Sequence, residues 1–200
     1  MKVASFIISV IAIFLVLGSL YFSHLEPFSP SLTPSDPMWS IETVGKGEKG
    51  LILVVSISFL NEGVKPGCLD DIRLTLHSYQ EARNTHFYPG LVIDFSAFMK
   101  GKEKQESIYQ HIESTFVPIL IPGKKSFTKA LAFYPRHTIS PEDLNKGRYR
   151  INYFYFERNK AEPKSFHSAN YMIKEETIKN LKGGIAYVPL NEARDKIRGQ

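Results

Sequence analysis

Residues Val3 to Ser23 form one apolar run, VASFIISVIAIFLVLGSLYFS, with no charged residue in it. About 20 apolar residues, at roughly 1.5 Å rise each, cross a hydrocarbon core of about 30 Å. A helix in a soluble core needs only one apolar stripe, and this run is apolar on every side. The competing reading is a cleaved signal peptide, whose apolar region spans about 7–15 residues and ends in a small-x-small site. This run is longer, and large residues interrupt any such site in its ending, Gly18-Ser19-Leu20-Tyr21-Phe22-Ser23. An uncleaved anchor with a short cytoplasmic tip is therefore expected over residues 1–23. Lys2 precedes the run and the next Lys or Arg is Lys46. That bias predicts a cytoplasmic N-terminus and an extracytoplasmic remainder, periplasmic or at the cell surface.

The remaining chain is long enough for one domain with a substantial core. Ten tyrosines and fourteen phenylalanines favour strands. The net charge of +5 is spread along the chain with no basic block interleaved with aromatics, so nucleic acid is not an expected partner. A single cysteine, Cys68, excludes an internal disulfide and reads as a small apolar residue.

Pro27, Pro30, Pro34 and Pro37 recur through residues 24–38 with serines between them. This spacing predicts an extended stalk, at about 3.1 Å per residue, holding a domain over residues 39–190 roughly 40 Å or less from the bilayer. Residues 191–200 are expected as a tail, with a short helix capped by Asn191.

Within the domain, Trp39 to Val44 reads as a first strand. Leu51 to Leu60 alternates as a second strand with one core face. Asn61-Glu-Gly-Val-Lys-Pro-Gly67 is a dense turn. Ile72, Leu74 and Leu76 mark a third strand. A run from His86 to Phe95 is broken at Pro89-Gly90. Phe116–Ile121 and Ser126–Tyr134 are expected to pair as a hairpin across Pro122-Gly-Lys-Lys125. Gly147 to Glu157 is the longest strand, Glu175 to Lys182 a two-turn helix, and Ile185 to Leu190 a last strand. About seven short strands at regular spacing predict an all-β, antiparallel sandwich.

Leu144-Asn-Lys-Gly147-Arg-Tyr149-Arg-Ile151 resembles the tyrosine corner of immunoglobulin-like and fibronectin type III-like sandwiches. The resemblance implies a Tyr149 hydroxyl bonded to backbone a few residues upstream, Leu144 packed beneath the ring and Gly147 at the bend. Asn61, Gly63, Pro66 and Gly67 also resemble an N-x-G-x-x-P-G turn of bacterial single-span membrane proteins of unassigned activity. This second resemblance covers roughly residues 39–160. It implies a fold and a tethered setting, and it brings no catalytic residue.

The sequence contains no catalytic signature. The six histidines include no H-E-x-x-H motif and no pair at i, i+2 or i, i+4, so no metal site and no cofactor are expected. There is no G-x-S-x-G. Gly183-Gly184 lacks the strand–loop–helix setting of a phosphate loop. Adjacent Asp70 and Asp71 should point to opposite faces of a strand, which keeps them from sharing a proton or a metal. A non-catalytic chain is therefore expected.

One feature suggests contact with a partner. Tyr149, Ile151, Tyr153 and Tyr155 occupy one face of the longest strand. Phe154 and Phe156 alternate with Arg148, Arg150 and Asn152 on the other. Either the tail from Tyr171 to Leu190 covers that second face, or Phe154 and Phe156, rimmed by Arg148, Arg150 and Lys160, form a docking patch. The leading expectation is an anchored accessory domain that docks another envelope protein. The alternatives are a spacer without a ligand, and an enzyme or metal-binding domain using a pocket around His77, His86 and Cys68.

Overall fold

The apolar run folds as α1 (Lys2–Leu20), continued by one π-helical turn, Tyr21–Leu25. In this computed structural model, which describes residues 2–44, 48–101, 107–182 and 185–187, the stretch Phe6–Leu25 has a mean hydropathy of 2.4 and is long and apolar enough to span a membrane.

The rest is mostly antiparallel sheet. The strands are β1 (Pro30–Pro34), β2 (Met38–Val44), β3 (Glu48–Asn61), β4 (Gly67–Ser78), β5 (Arg83–Ile93), β6 (Ile112–Thr115), β7 (Ile119–Ile121), β8 (Ser126–Pro135), β9 (Gly147–Glu157), β10 (Lys164–Ile173) and β11 (Ile185–Tyr187). Their order is β10-β9-β4-β5-β8-β3-β2-β11, with β1 on β3, β6 on β5 and β7 on β4. The sheet curls nearly closed. Its turning point is β5, whose first half pairs with β4 (Ser78↔Arg83 to Leu74↔Phe87) and whose second half pairs with β8 (Phe87↔Pro135 to Ile93↔Ala130). Pro89-Gly90 does not end this strand; the register slips between Pro89 and Leu91. A Cβ on Gly90 would lie 2.7 Å from the Tyr134 ring, so that crossing needs a glycine.

The curl brings two apolar faces together. Trp39, Leu53, Val55, Ile57, Phe59 and Phe133 from one layer meet Ile72, Leu74, Tyr149, Ile151, Tyr153 and Tyr171 from the other. A second, smaller core lies on the far side of β3 and β8. There Ile52, Val54, Ala130 and Ala132 are covered by Phe98 of α2 (Phe95–Gly101) and by Ile108 of a 3-10 turn, Ile108–His111. The buried Glu42 of β2 ties this excursion down, accepting hydrogen bonds from Ser107 Oγ (2.8 Å) and the Ile108 amide (3.0 Å). Leu51 to Val55 are therefore buried on both faces, where alternation suggests one.

Three other expectations change. Phe116–Ile121 and Ser126–Tyr134 do not form a hairpin: β7 pairs with β4 (Cys68↔Leu120), while β8 lies between β3 and β5. The stalk is shorter than its prolines suggest, because Pro30–Pro34 is a strand in register with Asn61 to Ile57. Leu32 is drawn into the core, and β1 lies at the sheet margin beside β10, where proline's missing amide is tolerated. Asp70 and Asp71 are both outside the core. The register slips between Leu69 and Asp71, so two consecutive residues escape burial between buried Leu69 and Ile72. The tail from residue 191 and its helix, the end of the last strand from residue 188, and Gly183-Gly184 lie outside the described residues.

The turn after β3 is organised by Asn61, which is fully buried. Its Oδ1 accepts the amides of Ser29 (3.2 Å) and Gly63 (2.9 Å). Its Nδ2 donates to the carbonyls of Lys65 (2.9 Å), Pro122 (3.2 Å) and Ile121 (3.3 Å). One amide thus satisfies backbone from three separate segments. A Cβ on Gly63 would fall 1.7 Å from the Pro27 carbonyl oxygen, so the chain leaving α1 packs directly on this turn.

Candidate functional site

The outer face of β10, β9 and β4 is the surface that the sequence singles out. Residues of β9 alternate strictly: Tyr149, Ile151, Tyr153 and Tyr155 are buried, while Arg148 and Arg150 are exposed and Phe154 and Phe156 half-buried. Antiparallel register sets Phe154 opposite Arg73 and Phe156 opposite Asp71. Arg73 is the centre of the face. Its guanidinium lies 4.2 Å from the centroid of Phe156 and 5.2 Å from that of Tyr88, and its Nε donates to Asp71 Oδ2 at 2.6 Å. Cation–π contact of this kind is worth about 0.5–1 kcal/mol at an exposed site. The half-burial of Phe156 thus comes from neighbours on the same face. Of the tail from Tyr171, residues 171–173 end β10 alongside β9, and α3 (Glu175–Lys182) and β11 pack toward β2.

The other end of the face is polar. Arg150 donates to Asn170 Oδ1 (3.1 Å) and lies 5.4 Å from the Tyr79 ring centroid. His77 Nδ1 and Asn84 Oδ1 are 2.8 Å apart, and Thr75 Oγ1 and His86 Nδ1 are 3.1 Å apart. The structure separates Arg148 and Arg150 from the two phenylalanines, and puts Arg73, Asp71 and Tyr88 beside them. Arg73 and Asp71 are legible in the sequence as a pair at i, i+2. Tyr88 is not, because only the β4–β5 pairing brings it near.

The alternative pocket around His77, His86 and Cys68 does not form. His77 is nine residues beyond Cys68 on β4, roughly 30 Å at about 3.3 Å per residue. Cys68 is half-buried; burial raises its thiol above the ordinary value, and Sγ lies 3.8 Å from Asp70 Oδ1. Asp70 Oδ1 also accepts from Arg158 Nε at 2.9 Å. Among the described residues no group of three or more His, Cys, Asp or Glu side chains is placed to hold a metal ion.

The corner residues stand at the start of β9. Tyr149 donates from its hydroxyl to the Asn145 carbonyl at 2.8 Å, and its ring meets Trp39 edge-on at 6.4 Å. Leu144 is buried in the main core. Gly147 has φ 150°, a conformation that L side chains rarely adopt, and a Cβ there would lie 2.2 Å from the Gln80 side chain.

No protein-family model and no curated protein matches the sequence. Among solved structures, the putative ApaA protein from Bordetella pertussis is similar over 72% of this chain and 94% of its own, with 10% identity and a TM-score of 0.37.

Proposed function

We propose that the chain is a membrane-anchored, extracytoplasmic accessory domain, non-catalytic, that docks another envelope protein through the outer face of β10, β9 and β4. The observation that carries this reading is the Arg73–Phe156–Tyr88 cluster with Phe154 beside it, standing on a sheet face away from both cores. A sandwich needs one apolar face per sheet. Two phenylalanines and an arginine on the second face are the residue types that interface hot spots favour.

The same reading takes the domain as an immunoglobulin-like sandwich. The strand order, the crossing of β5 from one layer to the other and the Tyr149–Asn145 bond support it. It takes α1 as an uncleaved anchor with its N-terminus inside, supported by the length of the run and by Lys2.

The test is a photo-crosslinking residue in place of Phe154, in the full-length protein in its native membrane. One discrete adduct is expected, lost when Phe156 is also changed to Ser. The variant Phe154→Ser with Phe156→Ser should keep the wild-type melting temperature. Adducts spread over many proteins, or none, would refute the docking face. Unfolding of the double variant would show that the rings serve the fold.

A further inference from the structure

We infer that the end of the domain where α1 enters lies on the membrane itself, and that its lysines and Leu120 engage anionic phospholipid headgroups. The inference rests on the anchor reading above. It starts from the shortness of the connection. The apolar span ends at Leu25, and the carbonyl of the next residue, Glu26, already accepts hydrogen bonds from the amides of Val64 and Lys65, both at 3.2 Å. The Glu26 carboxylate pairs with Lys124 Nζ at 2.5 Å. Three residues on from Glu26, the Ser29 amide bonds Asn61 Oδ1, and the Ser29 carbonyl accepts the Glu62 amide at 2.9 Å. No free linker separates bilayer from domain, so the Asn61–Gly67 turn and the Pro122–Lys125 turn are held within a few residues' reach of the interface, about 3.3–3.6 Å per residue.

The surface so placed has the character of an interfacial one. A groove beside the anchor's exit is lined by Pro27, Phe28, Cys68, Leu120, Arg158 and Lys160. Leu120 is 64% exposed and Val117, just before β7, 61%; beyond the apolar stretch that ends at Leu25 these are the two most exposed large apolar side chains described. Lys65, Lys124 and Lys125 stand exposed on the two turns. Acidic partners are present: Glu26 holds Lys124, Asp70 holds Arg158, and the buried Glu157 takes Lys160 and Lys164. Glu62 is exposed on the same turn as Lys65. With Glu162, exposed between Lys160 and Lys164, six cations face five carboxylates, and Lys65 and Lys125 stand on the two turns nearest the anchor, a small positive excess against a negative surface. A lysine near an anionic leaflet is attracted to it, and the effect fades within a Debye length. Leu120 adds apolar area at the depth where such side chains partition.

The experiment uses the full chain reconstituted in vesicles of zwitterionic lipid, with or without phosphatidylglycerol, some acyl chains carrying bromine as a contact quencher. The native chain has one tryptophan, Trp39, which is fully buried and gives a constant background. Leu120→Trp should lose fluorescence to brominated lipid, more so with phosphatidylglycerol present. Tyr79→Trp should not, because it lies past the far end of β4, about 35 Å away at ~3.3 Å per residue. Adding Lys65→Glu and Lys125→Glu should remove the extra quenching due to anionic lipid. Flotation of the vesicles and the mass of the N-terminus report the anchor separately. If the Leu120→Trp variant floats uncleaved and brominated lipid leaves its fluorescence unchanged, the membrane contact is overturned and the anchor stands. Protein that does not float, or begins after residue 20, overturns both. Quenching independent of lipid charge overturns the headgroup contact.

Discussion

The two layers of the sheet solve the same packing problem differently. The β2–β3–β8 layer buries both of its faces: Leu53 and Val55 point into the main core, Ile52 and Val54 into the smaller one under Phe98 and Ile108. The β10–β9–β4 layer buries one face and leaves Phe154, Phe156, Arg73 and Tyr88 on the other. Apolar residues on a second face thus have two explanations. Where the chain supplies a cover they are core, and where it does not they are a surface that something else can use. The cover over β3 and β8 is fastened by the buried Glu42, whose oxygens accept from Ser40, Ser107 and the Ile108 amide.

The largest test of this contrast is Phe98→Ala. Truncating a fully buried ring costs about 3–5 kcal/mol. Phe154→Ala, on the open face, should cost well under half of that. Thermal unfolding of both variants decides it, and equal losses would erase the distinction between the layers.

Glu42→Ala asks whether the cover is held by its polar fastening. Leaving the Ile108 amide and Ser107 without their acceptor should cost about 1–3 kcal/mol. Hydrogen exchange should show early loss of protection at Ile108, ahead of Ile52 and Val54. Uniform loss across the sheet would mean that the cover and the layer unfold as one unit.

Tyr149→Phe probes the open layer's own support. Removing the bond to the Asn145 carbonyl should lower stability by about 0.5–1.5 kcal/mol, read from denaturant midpoints. A midpoint unchanged within error would assign the corner's effect to ring packing on Trp39 alone.

The smallest expected change is in acid. Burial works against the charge on Glu157, but hydrogen bonds from Lys160 and Lys164 outweigh it and hold the carboxyl below the ordinary glutamate value. A depressed carboxyl adds stability above that ordinary value and loses it as pH falls through the lower, folded one. Both lysines are about half exposed, so solvent screens much of the effect. Glu157→Gln should flatten the acid limb of the stability profile and leave the neutral region nearly level. A steeper acid limb would contradict the assignment.

How legible all this was in the sequence depends on the range of each contact. Periods of two found β3, β4 and β9, because alternation is written in neighbouring residues. The corner was legible because Leu144, Gly147 and Tyr149 are close in sequence. The cover over β3 was not: Leu51 to Val55 read the same whether one face or both are buried, and Phe98 and Ile108 lie some fifty residues away. The false hairpin failed for a related reason. Pro122-Gly123 makes a sound turn, but β7 finds a better edge on β4 than on β8. The β4 bulge was invisible too, since nothing in Leu69-Asp70-Asp71-Ile72 marks the extra residue that puts both aspartates outside. The candidate site was half legible: Phe154 and Phe156 were evident, whereas Arg73 and Tyr88 join them only through strand pairing.

Asn61 has one more consequence, a mechanical one. Any pull on the chain from the α1 side must enter the domain through Glu26 and Ser29, where the chain is gripped by side-chain and backbone bonds before it reaches β1. A lone edge strand would peel from such a pull one rung at a time. Here the knot takes the strain first, across three segments at once, so tension is shared by β3, the Asn61–Gly67 turn and the loop after β7.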